Sequence, residues 1–184
     1  MRILDRKFHK NVLRYLAQCA LATLAVAVIL LILSEIQQAV IAASLGASSF
    51  IAFTMPHTNA SRPRYLVGGY VCGMASGVAM QALGDFLGRT VAAPAWEQWP
   101  IHGAVLFGAA AVGLAIFLMV ITNTEHPPAG GLALGVVLAE WDPIALVVPI
   151  VGIVALSLAR LALKPILINL IEVPQREENR DESR

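Results

Sequence analysis

An apolar run, IHGAVLFGAAAVGLAIFLMVI (101–121), breaks at Thr122-Asn123-Thr124-Glu125-His126-Pro127-Pro128 and resumes as a much shorter run, Ala129 to Ala139. About 20 apolar residues are needed for a helix to cross the hydrocarbon core of a bilayer. The first run meets that length and the second does not. Pro127 and Pro128 suit a first helical turn, where missing N–H groups cost little. Asn123 and Thr124 are expected to cap the short segment at its start.

The rest of the chain repeats this order. The first apolar stretch spans 15–33, the second 40–53, the third 65–83, the fourth 101–121, the fifth 129–139 and the sixth 144–163. The pattern is long, short, long, twice over. Two halves of three spans each (about 15–83 and 101–163) must face opposite ways, which is an inverted 3+3 repeat of the kind many transporters use. The expected fold is all-α, a polytopic transmembrane bundle of six segments, four long and two short. The short ones either cross or re-enter.

Composition agrees. Of the 184 residues, 58% are apolar and 14% charged, against about 25% charged in an ordinary soluble domain. The mean hydropathy is +0.72. This excludes a disulfide scaffold, a disordered chain and a nucleic-acid binder. Cys19 and Cys72 both sit in apolar runs and read as small buried hydrophobes.

Charge orients the spans. Arg2, Arg6, Lys7, Lys10 and Arg14 lie in a basic N-terminus (1–14), which belongs in the cytoplasm by the positive-inside rule. If all six stretches cross, 12 of the 13 basic residues lie inside and only Arg89 outside; with both short stretches re-entrant the count is 11 of 13. The apolar run from Tyr15 is too long for a signal peptide and reads as a retained span. The tail, 164–184, reads as cytoplasmic and partly disordered, with no apolar residue from Gln175 onward. Trp96, Trp99 and Trp141 fall where an outer aromatic belt would sit. A bacterial inner membrane with both termini in the cytoplasm is expected.

Gly69, Gly73 and Gly77 form a ridge on the third stretch, and Ala104, Gly108 and Gly113 a looser one on the fourth. Close helix packing is the first reading of both.

His126-Pro127-Pro128-Ala129-Gly130-Gly131 after a long apolar helix resembles the signature of the HPP family of membrane proteins. Leu45-Gly46-Ala47-Ser48-Ser49, then Pro56, then Ser61-Arg62-Pro63-Arg64-Tyr65-Leu66-Val67-Gly68-Gly69 resembles that family's other shared block. The match in order and spacing covers roughly 12–165. Arg62 stands where the family often has Gln, and Gly130-Gly131 replaces a commoner Gly-Ala. Plastid and cyanobacterial members are known as nitrite transporters, so the resemblance implies a carrier or channel for a small monovalent anion, with nitrite as the leading candidate.

No span carries a Lys or Arg at its centre, so an anion needs another positive potential. The N-terminus of a helix supplies one through unpaired N–H groups and its dipole. The reading therefore places the substrate at two half-helix starts converging in the bilayer. Gly46, Ala47, Ser48 and Ser49 come from one, and His126, Pro127, Pro128, Ala129, Gly130 and Gly131 from the other. His57, Arg62, Arg64, Asn123 and Glu125 are assigned to the mouth or to coupling. His126 is suited to carry a proton, or to fix its loop through a carbonyl. His9 and His102 read as interfacial.

The chain is not expected to be an enzyme. It has no His-Glu-x-x-His, Gly-x-Ser-x-Gly or phosphate loop, and a hydrolase on His57, Glu125 and His126 lacks a nucleophile. No cofactor or metal is expected. The partners expected are the lipid bilayer, a small anion and further copies of the chain in a homo-oligomer. The alternative is a membrane scaffold or a subunit of a larger complex, without transport.

Overall fold

Four helices of this chain begin at a proline, as first-turn chemistry allows: α3 (Pro63–Thr90), α4 (Pro100–Thr122), α5 (Pro128–Leu138) and α6 (Pro143–Leu163). They follow α1, helical at 12–14, 16–18 and 20–21, and α2 (Ala39–Thr54), with a 3₁₀ turn at Asn59–Ser61 between α2 and α3. The computed structural model describes residues 12–14, 16–18, 20–21, 39–90, 100–139 and 143–171. Every regular element among them is helical. Among the described residues three helices are long and apolar enough to cross a membrane, at Pro63–Gly88, Val105–Thr122 and Leu146–Leu163, and α2 and α5 are the shorter apolar pair. Most of the first stretch, Cys19, the three tryptophans, His9 and the side chains of His102 and Ala104 lie outside the described residues.

Glycine sets the closest contacts. Moving along α3, Gly69 meets His126, Gly73 meets the Ala129 carbonyl and Gly77 meets Ala133 and Val136. Gln81 then donates to the Ala139 carbonyl at 3.0 Å. The order is the same on both chains, so α3 and α5 run parallel. A methyl at Gly73 would sit 2.4 Å from the Ala129 oxygen, so the expected ridge is the seat of α5. On α4 only part of the expected ridge exists. Gly108 packs on Leu134, whereas Gly113 has no neighbour within 4 Å and faces outward.

The short helices cross antiparallel. Ile41 lies against Gly135, Ser44 against Pro128 and Ser48 against His126. α6 repeats on α2 what α3 does on α5: Gly152 packs on Leu45, and Arg160 reaches the Pro56 carbonyl further along. Each short helix therefore packs on a long helix of the other half, as an inverted repeat requires.

These directions separate crossing from re-entry. α4 ends beside the start of α3, where Arg64 donates to the Thr122 carbonyl at 3.0 Å. Ala139 lies beside Gln81, 17 residues further along α3 and so about 26 Å away. The segment through α5 thus carries the chain from one end of the bundle to the other. α2 does the same in reverse, from Gly135 to Arg160. Arg62, Arg64, Arg160 and Lys164 share one end, and Arg89 sits at the far end of α3. α5 itself covers only about 16 Å. The irregular backbone that completes the passage lies partly inside protein, with Thr124 and His126 buried, as an apolar surround demands.

One expectation needs correction. Asn123 and Thr124 do not cap α5; Pro127 stands at that position and makes no side-chain cap. Asn123 instead ends α4 in the left-handed region, at φ 51°. Its N–H bonds the Val120 carbonyl and that of Thr124 the Met119 carbonyl, the pattern of a Schellman cap. The start of the tail packs on the bundle. Leu167 and Leu170 are buried, the Leu170 N–H donates to the Thr54 carbonyl at 2.8 Å, and Gln18 of α1 donates to the Phe53 and Ile168 carbonyls. Apolar side chains at 167 and 170 draw the segment back over the end of α2.

The contacts yield a paired test. Gly73→Ala should destabilise the detergent-purified protein by about 1–3 kcal/mol, the cost of overpacking. Gly46→Ala, with nothing within 4 Å, should stabilise it by up to about 1 kcal/mol through helix propensity. Thermal unfolding reads both, and a Gly73→Ala protein as stable as wild type would contradict the α3–α5 contact.

Candidate functional site

A helix in hydrocarbon has no water to satisfy its side-chain hydroxyls, so each must find a partner within the protein. Ser44 and Ser48 stand four residues apart, on one face of α2. That face meets α3 and the start of α5. Ser44 donates to the Pro128 carbonyl at 2.7 Å and lies 2.9 Å from the Tyr70 hydroxyl of α3. Ser48 lies 2.9 Å from the same hydroxyl, 3.0 Å from the Ser44 carbonyl and 2.8 Å from His126 Nε2. The Tyr70 and His126 rings are tilted at 45° with centroids 5.8 Å apart. Ser44, Ser48, Tyr70 and His126 are all buried. The cluster sits where the two short helices cross, about 10 Å along α3 from Pro63.

One proton assignment gives each donor an acceptor. His126 donates from Nε2 to Ser48, Ser48 to the Ser44 carbonyl, Tyr70 to a serine oxygen and Ser44 to the Pro128 carbonyl. His126 Nδ1 is then a lone pair, buried and without a partner among the described residues. The opposite tautomer strands a buried N–H there instead, which costs more. The network is neutral and closed except at that nitrogen.

His126 also lines a cavity of about 530 Å³ between α4 and α5, otherwise walled by Val112, Ile116, Met119, Gly130, Leu134 and their neighbours. Gly130 and Gly131 face it. A methyl at Gly130 would meet nothing closer than Val112, at 3.8 Å.

The expected helix-start cradle is absent. Gly46 to Ser49 lie inside α2 rather than at its start, which is at Ala39. The antiparallel crossing puts that start beside the far end of α5. Of the four, Ser48 joins the cluster. Ser49 donates back to the Leu45 carbonyl at 3.0 Å, while Gly46 is half-buried and Ala47 exposed. At α5, the Ala129 and Gly130 amides bond the His126 and Pro127 carbonyls, so the first turn caps itself and offers neither amide to a ligand. Ala129 is buried under Gly73. Pro128 contributes its carbonyl, and Pro127 and Glu125 line the cavity.

The mouth residues divide. Arg64 caps α4, and Tyr65 reaches Asn123 Oδ1 at 3.4 Å. His57 pins the segment after α6 through Asn169 Oδ1 and the Leu167 carbonyl, so it is not near His126. Glu125 and Arg62 are exposed.

Sequence reasoning missed Ser44 and Tyr70. The signal was present: Tyr70 lies three and seven residues from Gly73 and Gly77, on the ridge face, and Ser44 lies one helical turn from Ser48. Ser48 and His126 also form a hydroxyl–imidazole pair of the kind hydrolases use. Among the described residues no carboxylate orients the imidazole at Nδ1, and Ser48 is fully enclosed.

An apolar bundle with a buried polar centre and a chain that passes end to end through two short helices defines an α-helical integral membrane protein. The chain belongs to the HPP family, since the family's transmembrane-region model matches residues 7–176. No curated protein and no solved structure matches it.

The bond network yields a local test. Tyr70→Phe removes the hydroxyl shared by Ser44 and Ser48 and should lower stability by about 1 kcal/mol, the size measured for buried hydrogen bonds within membranes. Thermal unfolding in detergent checks it, and an unchanged midpoint would contradict the bridging geometry.

Proposed function

We propose that this protein moves a small monovalent anion across the membrane, nitrite being the leading candidate, and that the solute passes the Ser44–Ser48–Tyr70–His126 cluster. The observation that carries this reading is the cluster itself. Four polar side chains buried at the crossing of two short helices are costly in an apolar bundle, and such groups are a feature of solute and proton paths. Nitrite comes from the family resemblance, not from the cluster's geometry.

The cluster holds no permanent charge. Its capacity for an anion comes from His126, whose free Nδ1 becomes an N–H donor on protonation. An anion that accepts from Nδ1 supplies the missing partner and the counter-charge together. Ser48 and Tyr70 can turn their hydroxyls to follow. Proton and anion then arrive together, and loss of the proton releases the anion. The reading assigns no bond-breaking chemistry and no metal or cofactor.

The shared end of Arg62, Arg64, Arg160 and Lys164 is the cytoplasmic one by the positive-inside rule, in a bacterial inner membrane. So small a bundle leaves little protein around a path, which favours a homo-oligomer.

Proteoliposomes holding the protein should take up nitrite faster as the pH on the loading side falls. His126→Ala should cut uptake at least tenfold and flatten the remaining pH dependence. Gly130→Leu fills the cavity and should abolish uptake in a folded protein. A panel of small anions and neutral solutes that all fail to enter would favour the scaffold reading instead.

A further inference from the structure

The two short helices end alike but are capped unlike. Beyond α5, the Ala139 carbonyl accepts from Gln81 of α3 at 3.0 Å. Beyond α2, the Pro56 carbonyl accepts from Arg160 Nη2 of α6. α3 stands to α5 as α6 stands to α2, with Gly73 seated on Ala129 and Gly152 on Leu45. Gln81 and Arg160 therefore hold equivalent places. One half caps its short helix with a neutral amide, and the other spends a full charge on the same task.

That charge is buried. Arg160 is 2% exposed. Its Nη2 also reaches Ser61 Oγ at 3.1 Å, and Ser61 is itself fully buried. Its Nε is buried with no partner among the described residues. No carboxylate pairs with it among the described residues. Arg62, next to Ser61 in the chain, carries the same sign. The carbonyl ends of α2 and α6 offset part of this. They leave an N–H donor unmet and two like charges together, and an uncompensated buried charge is strongly destabilising. Gln81 demonstrates that the capping task does not need it.

We propose that Arg160, with Ser61 and Arg62, forms a binding site for a small inorganic monovalent anion of the size of nitrite, nitrate or chloride. Arg160 Nε is its donor, Ser61, whose hydroxyl donates to the Thr58 carbonyl at 2.9 Å, holds the guanidinium in place by accepting from Nη2, and Arg62 adds field from the exposed side. The site lies at the basic end of the bundle, about 12 Å along α2 from Ser48. It is separate from the His126 cluster and does not depend on the transport reading. Where both hold, this is the station an anion occupies before or after the cluster.

The test is thermal unfolding of the detergent-purified protein, titrated with sodium nitrite, nitrate or chloride against sodium gluconate at constant ionic strength. Wild type should show saturable stabilisation by the small anions. Arg160→Gln copies the cap of the other half, so it should stay folded and lose the response. Ser61→Ala should raise the half-saturating concentration several-fold. His126→Ala should keep a saturable response that Arg160→Gln then removes, which separates this site from the transport cluster. The proposal is overturned by a wild type with no saturable response, by a folded Arg160→Gln protein that responds as wild type does, or by an unchanged Ser61→Ala titration.

Discussion

The crossing of α2 and α5 holds the rest of the molecule in place. Neither helix alone covers the hydrocarbon, and both leave polar backbone at depth. Their contact resolves this locally. Ser44 closes on the Pro128 carbonyl, Ser48 on His126, and Tyr70 ties both serines to α3. Small residues make the approach possible: Gly69, Gly73 and Gly77 bring α5 against α3, and Gly152 admits Leu45 of α2. Without that closeness the loop at 123–127 would have no protein wall, and an irregular segment facing lipid is not viable.

Symmetry and its violations divide the labour between structure and function. The halves share their glycine seats, their short helices and the capping of each short helix by a long one. Where they differ, chemistry collects. The α5 side has a histidine at its approach and a tyrosine on the neighbouring long helix. The α2 side has a buried arginine where the other half has glutamine. Each departure buries polarity that an apolar residue would avoid.

The third to sixth spans were legible because hydrophobic run length and proline carry them. Pro63, Pro100, Pro128 and Pro143 start helices within two residues of the places read from the sequence. The Gly69–Gly77 ridge was legible for the same reason, since small residues at every fourth position leave little else to do. Crossing against re-entry was not legible, because the count of basic residues differed by one between the two arrangements. The position of Gly46 misled: a glycine in an apolar stretch suggested a break, yet the hydrogen-bonded helix runs through it. Asn123 misled differently, because asparagine serves both helix starts and left-handed helix ends. Arg160 needed the tertiary contact, since in sequence it is a positive charge near the end of a span.

The central claim is that the solute meets the polar cluster at the crossing of the short helices. Thiol labelling at position 48 tests it most directly. In a chain with Cys19 and Cys72 replaced by alanine, Ser48→Cys is treated in sealed vesicles with a small anionic thiol reagent, with and without nitrite. The account predicts slow labelling that nitrite slows further in a saturable way. A thiol that labels at the same rate whatever the nitrite concentration, or that never labels, would contradict it.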